Sequence, residues 1–85
     1  MPYIKLEERV EYDDAIHDLL DELRCQGSSV GHINYIISTL IWNLWAGDYT
    51  SGNNLMGVLE CVKQEFYRKQ LAPYEDVKEK LNGSL

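Results

Sequence analysis

The chain has little of what most catalytic or secreted proteins of its size rely on. It carries two cysteines, Cys25 and Cys61, two prolines and one phenylalanine in 85 residues. Two thiols far apart in sequence do not make the disulfide framework of a small secreted domain. With no stretch that reads as a secretory leader, they are expected as free thiols in a cytoplasmic protein. No apolar run approaches the roughly 20 residues a membrane-spanning helix needs, so no membrane partner is expected. Basic residues are few: 8 Lys and Arg stand against 14 Asp and Glu, a net charge of -6. DNA- and RNA-binding surfaces are basic, so no nucleic-acid partner is expected. A glycine-rich phosphate loop ending in Lys-Ser or Lys-Thr is missing, as is a serine-nucleophile elbow. His17, His32, Cys25 and Cys61 lack the spacing of a zinc site. No catalytic residue, metal or cofactor is therefore assigned.

What is present is helical pattern. The length allows one domain, taken as residues 1–85, and the fold class is all-α: a small bundle of three main helices plus a short C-terminal one. Residues 1–6 form an arm in which Pro2 opposes helix and Tyr3 and Ile4 are free to pack. A first helix is expected over Glu7–Cys25, with Tyr12, Ile16, Leu19, Leu20 and Leu23 on one stripe and Glu7 and Glu8 at the positive end of its dipole. Gln26–Gly31, including Ser28, reads as a short loop, with Ser29 or Gly31 opening the second helix, His32–Ala46. Ile33, Ile36, Ile37, Leu40, Ile41 and Leu44 form its core stripe. Gly47–Asn54 reads as a polar loop in which Ser51, Asn53 or Asn54 caps the third helix. Leu55, Val58, Leu59, Val62 and Phe66 form the third stripe, and Glu65 precedes Lys69 at ion-pair spacing. Pro73 is expected to end that helix and to start the last one, which stops at Asn82-Gly83.

The second helix is apolar on nearly every side. Tyr35 and Trp42 are seven residues apart, nearly two turns, and so lie on one line away from the isoleucines. A helix apolar all round is buried or has a second partner. A core of 85 residues is marginal alone, so the Tyr35/Trp42 side is expected to be a subunit interface in a homo-oligomer or an aromatic-lined pocket. Completion of the core by the aromatic rings is the simpler reading of the same pattern.

Acidic residues crowd the front of the chain, where eight of the fourteen lie between Glu7 and Glu22. Most cations lie towards the back, among them Lys63, Arg68 and Lys69. These can hold phosphate, arginine bidentately. Tyr35, Trp42 and Tyr67 can stack on a planar ring, and Asn34 and Glu60 can read hydrogen-bonding edges or ribose hydroxyls. The candidate ligand-binding set is Asn34, Tyr35, Trp42, Glu60, Lys63, Tyr67 and Arg68. It points to a non-catalytic binding protein for a small nucleotide-like or phosphorylated ligand. One alternative is a metal-dependent nucleotide pyrophosphohydrolase. Asp18-x-x-Asp21 approaches the paired acids of such enzymes, but Glu60 is followed three residues on by Lys63, which breaks the second pair. Another alternative is a helical protein–protein interaction module.

Several blocks resemble a small, functionally uncharacterised family from phages and bacteria. They are Met1-Pro2-Tyr3-Ile4-Lys5, Ile33-Asn34-Tyr35, the run from Gly57 to Arg68, Pro73-Tyr74-Glu75-Asp76 and Asn82-Gly83. An acid often follows the Asn-Gly pair in that family; here the residue is Ser84. The resemblance carries over no functional residue. The phage setting of that family implies a sponge that sequesters a host signalling nucleotide in the host cytoplasm.

Overall fold

The computed structural model describes residues 3–27 and 29–85. What was expected of Met1, Pro2 and Ser28 lies outside the described residues. The chain divides into two compact units, the first over residues 3–48 and the second over 49–85.

The first unit holds α1, Leu6–Cys25, and α2, Val30–Leu44. Glu7 and Glu8 lie in the first turn of α1, where the exposed N–H groups favour negative charge. The arm is tied to this turn by Arg9, whose Nε donates to the Ile4 carbonyl at 3.0 Å. At the other end Gly27 takes φ 61°, a left-handed value that suits glycine, and its N–H donates to the Arg24 carbonyl at 3.3 Å. Ser29 caps α2: its Oγ accepts from the His32 N–H at 3.4 Å. The helix starts two residues earlier than expected because that cap precedes Val30. It ends earlier too. Trp45 leaves the helix at ψ 130°, and its indole Nε1 donates to the Asp48 carbonyl at 2.9 Å across Gly47, which has φ 89°.

The second unit starts with a correction. The expected polar loop Gly47–Asn54 is helix in all but its first two residues, because α3 spans Tyr49–Phe66 and takes in Ser51, Asn53 and Asn54. All three lie inside the helix and not ahead of it. The turn that closes α2 finishes at Asp48, so the new helix begins immediately after an aspartate, a residue type that favours helix starts.

Pro73 brings a second correction. It does not end the helix. A π turn, Tyr67–Leu71, leads directly into α4, Ala72–Asn82, and the whole helix is 34 residues long. Ala72 keeps helical geometry at φ -61°, ψ -46°, although the residue before a proline usually avoids it. The physical reason lies in the turn. A proline inside an α-helix removes one hydrogen bond and collides with the carbonyl four residues back. Here the Ala72 N–H reaches the Tyr67 carbonyl, one residue further than usual, so the helix is widened just before the ring. Pro73 does occupy the first turn of α4, as expected, and Gly83, at φ 87°, closes the helix with its N–H on the Glu79 carbonyl at 2.7 Å.

The π turn also sets the phase of the side chains. Each residue of an α-helix advances about 100°, so Leu71, five beyond Phe66, would sit about 140° away from it. The extra residue of the π turn takes back about 100° and returns Leu71 towards Phe66's line. Tyr74, Val77 and Leu81 follow Leu71 at three- and four-residue steps. The stripe of Leu55, Leu59, Val62 and Phe66 therefore continues along α4 instead of spiralling off it.

Among the described residues these stripes are at most partly covered. Among the described residues no side chain is fully buried. Leu23, Ile36, Ile41, Leu55 and Leu59 are half-buried, whereas Ile16 is 50%, Val62 56% and Phe66 60% exposed. Within the first unit α1 and α2 share no extended packing. The expected core faces exist as faces but meet no core. Among the described residues no helix is long and apolar enough to cross a membrane.

Candidate functional site

The seven candidate residues fall into two groups on two units. Asn34, Tyr35 and Trp42 lie on α2 in the first. Glu60, Lys63, Tyr67 and Arg68 lie on the long helix of the second.

On α2 the rings stand clear of the isoleucine face, with Tyr35 71% and Trp42 82% exposed. They do not complete a core. Ser38 lies on the line between them, and its Oγ donates to Asn34 Oδ1 at 2.8 Å. That bond fixes the Asn34 amide beside the rings and leaves its nitrogen as a donor. Ser38 was not among the candidates, although its four-residue spacing from Asn34 was legible.

On the long helix every charged candidate already has a partner. Glu60 Oε1 accepts from Gln64 Nε2 at 3.1 Å and pairs with Lys63 Nζ at 3.2 Å. The Gln64 donor first, and the Lys63 cation second, hold the Glu60 carboxyl below its usual range. Arg68 Nη2 donates to both oxygens of Glu65, at 2.8 and 3.0 Å. Lys63 and Arg68 therefore sit beside their own acids. Exposed pairs of this kind contribute little and are readily exchanged.

Tyr67 makes the longest side-chain reach. Its Oη donates to Glu75 Oε1 at 2.8 Å, eight residues on. In an α-helix eight residues leave two side chains about 80° apart, but the π turn removes one step and brings them onto one face. The bond thus spans the π turn and Pro73. The Glu75 carboxylate accepting from the phenol, and its charge, raise the Tyr67 pKa above its ordinary value. Glu75 had no signal in the sequence as a partner of Tyr67, because the spacing assumes a bulge that the sequence does not announce. One turn further Lys78 Nζ stands 5.7 Å from the Tyr74 ring centre, a cation–π contact.

Asp18 and Asp21, the acid pair considered for a magnesium site, lie exposed on α1. Among the described residues no three or more His, Cys, Asp or Glu side chains are grouped so as to hold a metal ion.

Comparison with known proteins bears on the family and on nothing finer. A family model described as a domain of unknown function (DUF6899) matches residues 1–85, the full length. The chain belongs to DUF6899. No curated protein and no solved structure matches this DUF6899 chain. The resemblance carried by the Gly57–Arg68 block is thus confirmed at the level of a family of unknown function, and the candidate site rests on geometry alone.

Proposed function

We propose that this DUF6899 chain is a non-catalytic binding protein for a small, planar, phosphorylated ligand of nucleotide type. The observation that carries the reading is the pair of rings on α2, Tyr35 and Trp42, held two turns apart and more than two-thirds exposed. Large rings facing water are costly to maintain unless something planar or apolar covers them. Stacking on such rings is worth roughly 1–3 kcal/mol per base in single-stranded nucleic-acid sites and tolerates different bases. The Asn34 amide beside them adds a hydrogen-bond donor for a ring edge or a ribose hydroxyl. On the second unit, taken by itself, Lys63 and Arg68 are cations that phosphate oxygens can take over from Glu60 and Glu65. The phage setting implied by the family resemblance would make sequestration of a host signalling nucleotide the use of such a site.

The test is direct. Indole fluorescence is followed while mono-, di- and cyclic nucleotides are titrated, and any small molecule that copurifies is released by heat and weighed by mass spectrometry. Quenching lost in Trp42→Ala, with the ligand recovered intact, is the expected result. An unresponsive indole at millimolar nucleotide, with nothing copurifying, sinks the reading. Recovery of a cleaved nucleotide in the presence of magnesium would replace it with the pyrophosphohydrolase.

A further inference from the structure

The stripe along the long helix of the second unit has a use that does not depend on any ligand. We propose that Val62, Phe66, Leu71, Tyr74, Val77 and Leu81 form the contact through which two copies of this chain associate, helix against helix.

Phase gives the first argument. The π turn keeps the apolar positions of α3 and α4 on one side across Leu55 to Leu81, with steps of three and four residues on either side of the turn, the spacing of helices that pair lengthwise. At about 1.5 Å per residue the stripe is roughly 40 Å long. Without the π turn the α4 half would rotate away by about 100° and no single partner helix could follow both halves. A widened turn and a proline inside a helix are costs, and a continuous face is what they maintain.

Charge separates the second copy from other occupants. Residues 49–85 carry five acids and five bases, a net charge of zero, whereas α1 carries eight acids against two bases. Two α1 helices brought together would repel. Two long helices do not, and each supplies both signs along its length. A neutral face also lacks the bias that a strongly acidic or basic partner would demand.

Area is sufficient. Val62, Phe66, Tyr74, Val77 and Leu81 are 55–72% exposed and Leu71 40%. Apolar side chains of these sizes present on the order of 100 Å² each, aromatic ones more, so at these exposures two copies would cover on the order of 1,000 Å² together, the lower bound for a specific interface.

The experiment uses the full chain under reducing conditions with no nucleotide added, so that its failure leaves the ligand reading untouched. Sedimentation equilibrium is run on the wild type, on Val62→Glu/Val77→Glu, and on Ile16→Glu/Leu20→Glu on α1. Glutamate is a better helix former than valine, so the first variant keeps its helix. The wild type is expected to sediment as a multiple of 9.9 kDa. The Val62/Val77 variant is expected to weaken association at least about 100-fold, and the α1 variant to retain it. A monomeric wild type overturns the proposal, as does assembly that survives the stripe variant and fails in the α1 variant. If the stripe variant loses its helix by circular dichroism, Tyr74→Cys in a Cys25→Ser/Cys61→Ser background decides: a disulfide-linked dimer on mild oxidation supports the contact, and its absence overturns it.

Discussion

Moving one residue in or out of the π turn tests the phase argument without changing any side chain of the stripe. Insertion of one alanine after Gln70 turns Leu71, Tyr74, Val77 and Leu81 off the α3 half of the stripe, by about 100° if the π turn survives and by about 200° if it does not. Deletion of Gln70 does the opposite: it turns the π turn into a regular α-turn, leaving Leu71 four residues from Phe66 and the stripe still continuous. The four side chains are now 40%, 57%, 55% and 72% exposed. Burying such a side chain fully is worth about 1.5–3 kcal/mol, so covering the exposed half yields roughly 1 kcal/mol apiece. Two copies contribute, so the insertion is expected to weaken self-association by several kcal/mol, at least about a thousandfold. The assay is sedimentation equilibrium over a concentration series, with helix content from circular dichroism on the same samples. Deletion is expected to keep both helix and association; insertion is expected to keep helix and lose association. An insertion variant that associates like the wild type, or a deletion variant that does not, refutes the phase reasoning.

Other expectations are narrower. Ser29→Ala removes the α2 cap; because its hydrogen bond is long at 3.4 Å, the cost should fall at the low end of the usual range, about 0.5 kcal/mol, read from thermal unfolding. Gly27→Ala meets no neighbouring atom but must hold φ 61°, so it should cost about 1 kcal/mol through backbone strain alone. Tyr67 has a raised pKa, so its bond to Glu75 favours the folded state below the phenol's unfolded pKa and that contribution fades as pH rises through the folded value. Ultraviolet titration of the phenols should show a late-titrating tyrosine that disappears in Glu75→Gln. Glu60 is shifted the other way; its contribution is present above the unfolded carboxyl pKa and is lost as pH falls through the folded one, and Gln64→Ala should bring its NMR titration midpoint back up.

Helix content and most ends were legible because local chemistry sets them. Ser29 caps, Gly83 stops, and acids open α1, and each of these acts within one turn. Two boundaries were misread for one reason. Gly47–Asn54 looks like loop by composition, yet the Trp45 indole bonds to the Asp48 carbonyl across the turn, and helix follows at once. Pro73 looks like a stop, yet a proline's clash is relieved by widening the turn before it, and no residue type marks that response. The candidate residues lie on α2 and on the long helix, the elements whose helical pattern the sequence shows. Their immediate partners Gln64 and Ser38 were readable at four-residue spacing; Glu75 was not, since it faces Tyr67 only across the π turn. The stripes were identified as core, but periodicity reports only that a face is apolar and does not say which molecule covers it.

Cys25 closes α1 and Cys61 lies in α3, and both thiols are exposed. The protein therefore carries one native attachment point for a reporter group in each of its two units, and Cys61 lies off the apolar stripe. A pair of spin labels or fluorophores on the unaltered chain would measure how the units are arranged in solution. The same thiols impose a discipline at the bench: without reductant, air oxidation would link copies covalently and imitate the association described above.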